Sequence, residues 1–223
     1  MEDSVRKKIA GLIDHTLLRS DSTDKDHIQL CKEARGYGFR TVCVNPNFVD
    51  ICIQELENTS TEVCTVIDFP EGLGDIERNL DDLDMVINQG AIEIDMVMNI
   101  NAFRSKKYEQ VSKGIYSIVE AAGGRIIKVI LETCYWDDNE IEIACEIVKS
   151  AKAQFVKTST GFSEHGAKIS HIKIMRKTVG DLFGVKASGG IRTFDDMLKM
   201  IQAGANRIGT SSGTKIVQEI NAR

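Results

Sequence analysis

Hydrophobic and polar positions in this chain switch between two periods from one end to the other. Runs of six to eight residues rich in Val, Ile, Leu, Thr and Cys alternate with longer stretches in which apolar residues recur every three or four positions. The first pattern suits strands buried in a parallel sheet, and the second suits helices with one apolar stripe. The short runs predict eight strands, at 12–18, 40–45, 62–68, 92–99, 126–133, 155–160, 184–189 and 207–212. The amphipathic stretches predict a helix after each, at about 22–38, 47–57, 75–89, 102–122, 138–152, 168–179, 194–203 and 212–221. Glycines in INQGAIEID, AAGGRIIKV, TVGDLFGVK and IQAGANRIG stand where a helix must stop and the chain turn into the next strand. Eight β/α units in 223 residues predict a single-domain (β/α)8 TIM barrel over 1–223, near the small end of that fold's range. An open doubly wound sheet would carry G-x-G-x-x-G after an early strand, and none follows strand one or two.

Composition narrows the setting. Hydrophobic residues make up 42% of the chain, enough for a sizeable core. The net charge of −5 excludes duplex nucleic acid as the main partner, because neutralising phosphates needs a basic face. Cys31, Cys43, Cys52, Cys64, Cys134 and Cys145 stand singly, most of them within apolar segments, and no C-x-x-C pair occurs. That usage predicts free thiols in a reducing compartment and no zinc site of that type. The opening MEDSVRKKIAGLIDH is polar and mixed in charge, unlike a secretory signal, and no apolar run is long enough to span a bilayer. A soluble cytoplasmic protein is expected.

Active sites of such barrels lie at the carboxyl ends of the strands. The polar residues there are Asp14, Cys43, Asn45, Glu93, Asp95, Lys128, Glu132, Lys157 and Lys186. Lys157 and Lys186 are each the third residue of their strand, in Phe-Val-Lys and Gly-Val-Lys. Equal positions on consecutive parallel strands, ~4.8 Å apart, give the two side chains one facing. Repulsion at ~5 Å in an effective dielectric near 20 is about 3 kcal/mol, enough to lower one lysine's pKa by roughly two units. A neutral lysine is a nucleophile toward a carbonyl carbon, and the product is a Schiff base. The rival reading is ion pairing alone, with Glu93, Asp95 or Glu132 as counter-ion. Two lysines in register favour chemistry, with Asp95 moving protons.

Glycine-rich segments follow the last strands, SGGIRT at 188–193 and GTSSG at 209–213, where barrels of this kind bind phosphate. Gly189, Gly190, Ser211 and Ser212 are therefore candidate phosphate contacts, joined by Thr158 and Gly161 of the STGF turn after Lys157. Ser211 and Ser212 also suit helix capping, a compatible role. Cys43 reads as a core thiol lining the site, since no histidine is placed to activate it. His15 reads as structural, and His27 and His171 as solvent-facing helix residues. His165 lies near enough in sequence to meet a ligand.

The segments IDHTLL, VCVNP, EIDMV, KVILET, FVKTSTGF, GVKASGGIRT and RIGTSSG, in this order, resemble the deoxyribose-phosphate aldolase family of class I aldolases, from Ile13 to about Val217. The resemblance implies reversible cleavage of a sugar phosphate, 2-deoxy-D-ribose 5-phosphate, into acetaldehyde and D-glyceraldehyde 3-phosphate, with no metal or organic cofactor. It implies Lys157 as the Schiff-base lysine, Lys186 as the second lysine and Asp95 as the acid/base. Asp14, Cys43 and Lys128 support them. Barrels of this kind also associate, so a homodimer or homotetramer is expected. The chain departs from the family pattern at Asp68, Asn101, Glu164 and His165, and it ends at Arg223, where some relatives continue into a tail. A transaldolase, a different sugar-phosphate aldolase or an inactive phosphometabolite-binding barrel would share much of the pattern.

Overall fold

Eight parallel strands close into a barrel in the order β1 to β8, each bonded to the next and β8 to β1. They are β1 (Ile13–Leu17), β2 (Thr41–Val44), β3 (Glu62–Ile67), β4 (Glu93–Val97), β5 (Ile126–Ile130), β6 (Phe155–Lys157), β7 (Gly184–Ser188) and β8 (Arg207–Thr210). This computed structural model describes residues 3–222; Met1, Glu2 and Arg223, at the ends of the expected domain, lie outside them. Each strand leaves the ladder sooner than the apolar runs suggested. After Lys157, for example, the Thr158 and Thr160 hydroxyls take hydrogen bonds across the strands, and Gly161 turns the chain at φ 90°.

The helices are α1 (Asp3–Ala10), α2 (Asp24–Tyr37), α3 (Val49–Glu55), α4 (Ile76–Asn88), α5 (Ile100–Arg104), α6 (Tyr108–Ala121), α7 (Asp138–Ser150), α8 (Ile169–Val179), α9 (Phe194–Ala203) and α10 (Gly213–Asn221). Thr23, Asp137 and Thr193 begin α2, α7 and α9 with reciprocal capping boxes to Asp26, Glu140 and Asp196. Two features depart from the sequence pattern. The polar α1, DSVRKKIA, was not expected and packs beside α10. The single helix expected over 102–122 is two, because Lys106 adopts a left-handed φ of 56° between α5 and α6.

Side chains alternate across each strand. The outward set, including Ile13, Val42, Ile94, Ile127, Val129, Val185 and Ile208, is fully buried beneath the helices. The stripes of two helices each hold an unexpected histidine. His27 precedes Leu30, Cys31 and Ala34 on the buried face of α2, and His171 precedes Met175 and Val179 on that of α8. Both are therefore buried, contrary to the solvent-facing placement the sequence suggested. His27 stacks on Phe48 and its Nδ1 meets the Thr23 carbonyl at 2.9 Å.

Candidate active site

The inward-facing residues of the barrel are charged where most barrels carry branched aliphatics. Ladder register explains how they meet. Lys157 pairs with Lys186, and Lys186 with Arg207, while Asp95 pairs with Lys128. Asp95 is the hub. Its Oδ2 accepts from Lys157 Nζ and Lys186 Nζ, both at 2.7 Å, and its Oδ1 accepts from Lys128 Nζ at 2.7 Å. Asp14 pairs with Lys186 at 2.5 Å and Arg207 at 2.8 Å, and Glu93 with Lys128 and Arg207, both at 2.8 Å.

Four enclosed cations thus meet three enclosed carboxylates. Arg40 adds only a 3.6 Å approach to Glu93 from a half-exposed position. Burial opposes the charges on Asp14 and Asp95, but the neighbouring lysines outweigh it and hold both carboxyls well below the usual range. Burial likewise opposes the charges on Lys128 and Lys186, and the carboxylates outweigh it, holding both above the usual lysine range. Of the counter-ions the sequence offered, Asp95 pairs with both lysines, whereas Glu93 pairs with Lys128 and Arg207 instead. Lys186 stays charged between two carboxylates. Among the described residues, Lys157 is the one enclosed cation with a single carboxylate partner.

Cys43 and Cys64 pair in register on β2 and β3 and are both fully buried. Cys64 Sγ lies 3.3 Å from Asp95 Oδ1 and 3.2 Å from Lys128 Nζ. Burial and its contact with Cys43 raise the Cys64 thiol well above its usual range. Cys64 therefore serves as a packing and weak hydrogen-bonding group beside the hub. His15 points outward to Glu33, at 2.9 Å, as a structural residue.

Lys157 opens into a cleft of about 320 Å³ above the hub. Gly161, Gly189, Gly190 and Ser211 line it, with Arg19, Thr160, Phe162 and Arg192 among their neighbours. Gly189 has a φ of 86° and packs so closely on Gly166 that a methyl on Gly166 would lie 2.1 Å from the Gly189 carbonyl oxygen. Ser212 stands outside the cleft lining, at the start of α10, where its backbone N–H donates to Thr210 Oγ1 at 2.9 Å. Thr158 is also outside it. Its fully buried hydroxyl donates to the Ser188 carbonyl and accepts from the Ser188 N–H, both at 3.0 Å, tying β6 to β7. Glu164 and His165 are exposed and do not line the cleft.

The DeoC/LacD family aldolase model matches residues 8–219. The chain belongs to this aldolase family. The deoxyribose-phosphate aldolase of Caldanaerobacter subterraneus subsp. tengcongensis is 51% identical over 214 residues, covering 95% of this chain and 93% of the relative. That of Clostridium tetani is 50% identical over 213 residues, covering 95% and 99%. The solved tetrameric deoxyribose phosphate aldolase of Aeropyrum pernix superposes with a TM-score of 0.91 at 34% identity, covering 97% of this chain and 92% of that one.

Within this aldolase, sequence reasoning did not single out Arg207, the cation that joins Asp14 to Glu93. The available signal was its place two residues before Gly209 on the inward face of β8. Asp68, one of the positions the sequence reading marked as a departure, sits at a left-handed φ of 50°. Its carboxylate accepts from the Leu73 and Gly74 N–H groups and from Asn79, at 2.7–2.9 Å. The carboxylate thus organises the loop after β3, which offsets the conformational cost of a non-glycine residue there.

Proposed function

We infer that this protein is a class I aldolase that reversibly cleaves 2-deoxy-D-ribose 5-phosphate into acetaldehyde and D-glyceraldehyde 3-phosphate. The observation that carries the reading is Lys157. It is the single amine of the buried cluster that opens into the cleft, it has one carboxylate partner, and glycine-rich turns surround it. Its neutral amine attacks the C1 aldehyde of the open-chain sugar, and loss of water gives an iminium. The electron pair of the C2–C3 bond then flows toward the iminium nitrogen as the C3 hydroxyl gives up its proton. C3 becomes the aldehyde of glyceraldehyde 3-phosphate, and C1 and C2 remain on Lys157 as an enamine. Protonation of C2 and hydrolysis release acetaldehyde and restore the amine.

Asp95 contacts the Lys157 nitrogen directly and is placed to exchange protons with it, alone or through water. Lys186 and Lys128 keep that carboxylate ionised and oriented, and Asp14 and Arg207 complete the network. Backbone N–H groups at Gly189 and Gly190 and the hydroxyl of Ser211 suit the phosphate, with Gly161 facing them. Phosphate held remote from the reacting carbons supplies positioning energy. The proposal includes a cytoplasmic location, in keeping with six free cysteines, and assembly into dimers or tetramers; sedimentation reads the latter. Among the described residues no helix is long and apolar enough to cross a membrane.

The test is turnover of 2-deoxyribose 5-phosphate in a coupled assay, combined with borohydride trapping in acetaldehyde. An adduct mapped to Lys157 and lost in Lys157→Met supports the reading. Turnover only of a ketose phosphate, or phosphate binding with no adduct, would replace it with one of the rival barrels.

A further inference from the structure

The mechanism above leaves one buried carboxylate unused. Glu132 follows β5, is 2% exposed and adopts a left-handed backbone at φ 53°. A non-glycine residue is held there only where its surroundings require it. Among the described residues Glu132 makes no ion pair, and the charged hub of Asp95 does not include it.

Its two shortest hydrogen bonds run to Thr160, in the turn that flanks the cleft. Glu132 Oε2 accepts from the Thr160 hydroxyl at 2.5 Å and from the Thr160 N–H at 3.1 Å. Oε1 accepts a longer contact from the Cys134 thiol at 3.7 Å. The Thr160 hydroxyl in turn accepts from the Phe162 N–H at 3.1 Å. The turn 160–162, with Gly161 at its centre, is therefore held through one carboxylate oxygen. Backbone bonds from Leu131 to the Lys157 carbonyl and from Thr133 to the Thr158 carbonyl, both 2.9 Å, keep Glu132 in register with that strand. On its other side the turn is held by β7, where Ser188 Oγ donates to the Ser159 carbonyl at 2.6 Å.

We propose that Glu132 is a positioning residue for the phosphate: its carboxylate fixes the Thr160–Phe162 turn so that the Gly161 N–H, the one backbone donor of the turn not already bonded within it, meets the phosphate across from Gly189 and Gly190. The inference rests on the substrate reading above. The 2.5 Å contact with the Thr160 hydroxyl is in the range of the strongest hydrogen bonds and suits a loop that must not move when a dianion arrives. A glutamine can place one oxygen where Oε2 lies and keep both bonds to Thr160. An alanine keeps neither.

The experiment compares Glu132→Ala, Glu132→Gln and the parent on 2-deoxyribose 5-phosphate and on unphosphorylated 2-deoxyribose. The expected result is that Glu132→Ala lowers kcat/KM for the phosphate ester by about tenfold or more, mostly through KM, the size of one lost charge-assisted hydrogen bond. Its rate with the unphosphorylated sugar falls far less, and Glu132→Gln restores most of the discrimination. Equal losses on both sugars, or an unchanged ratio in Glu132→Ala, would overturn the inference. If Glu132→Ala fails to fold, Thr160→Val, which removes the bridging hydroxyl, decides it by the same ratio. A parent enzyme that does not prefer the phosphate ester would instead refute the substrate reading.

Discussion

Replacing Lys186 by methionine probes the electrostatic design of the site most directly. Lys157 Nζ and Lys186 Nζ each lie 2.7 Å from the same Asp95 oxygen, so the two nitrogens are at most about 5.4 Å apart. At that separation and an effective dielectric near 20, their repulsion is about 3 kcal/mol. Removing Lys186 leaves three enclosed cations against three carboxylates and gives Asp95 Oδ2 wholly to Lys157. Deprotonating the attacking amine then becomes harder by about 3 kcal/mol, so the acid limb of the pH profile moves up by roughly two pH units. Methionine fills much of the volume without charge. Asp14 keeps Arg207 as a partner, which limits the loss of stability. Loss of turnover does not obscure the result if the observable is the rate of borohydride-trapped imine formation with acetaldehyde between pH 5 and 10. An acid limb that stays in place while imine still forms would refute the reasoning, and Lys186 would then be a structural counter-ion for Asp14.

Two further outcomes follow from the same geometry. Asp14 and Asp95 have folded-state pKa values held below those of the unfolded chain, so their stabilising contribution is present above about pH 4 and is lost as the pH falls through the folded values. Resistance to denaturant should therefore fall steeply below about pH 4, and Asp14→Asn should flatten that dependence; an unchanged acid slope in the variant contradicts the pairing. At Gly166, alanine would place a methyl 2.1 Å from the Gly189 carbonyl oxygen. The resulting shift of the glycine turn should raise KM for the phosphate ester by on the order of tenfold to a hundredfold while imine formation with acetaldehyde changes little. An unaltered KM would remove Gly189 from the phosphate site.

Periodicity in the chain carried the architecture, because buried parallel strands and amphipathic helices leave different repeats. The eight strands and the seven other helices that follow them are present, with ends displaced by a few residues where hydroxyls and positive-φ turns intervene. The break between α5 and α6 was not legible, since a lysine at φ 56° carries no local signature. The burial of His27 and His171 was legible in their spacing to apolar neighbours, but their polarity obscured it.

Lys157 and Lys186 could be placed in register from the sequence, because facing along a strand is a matter of counting residues. Which ion pairs with which could not, nor that Arg207 joins them. Asp14, Glu93, Lys128 and Arg207 come from strands up to 193 residues apart, and barrel closure brings β8 back to β1. Two lysines read in isolation imply simple repulsion. The closed barrel adds two cations and three carboxylates, keeps Lys186 charged, and leaves Lys157 with one carboxylate and an open cleft. Local pattern thus settled fold and nucleophile candidates, whereas the sum of buried charges depends on every strand at once and is set only when the barrel closes.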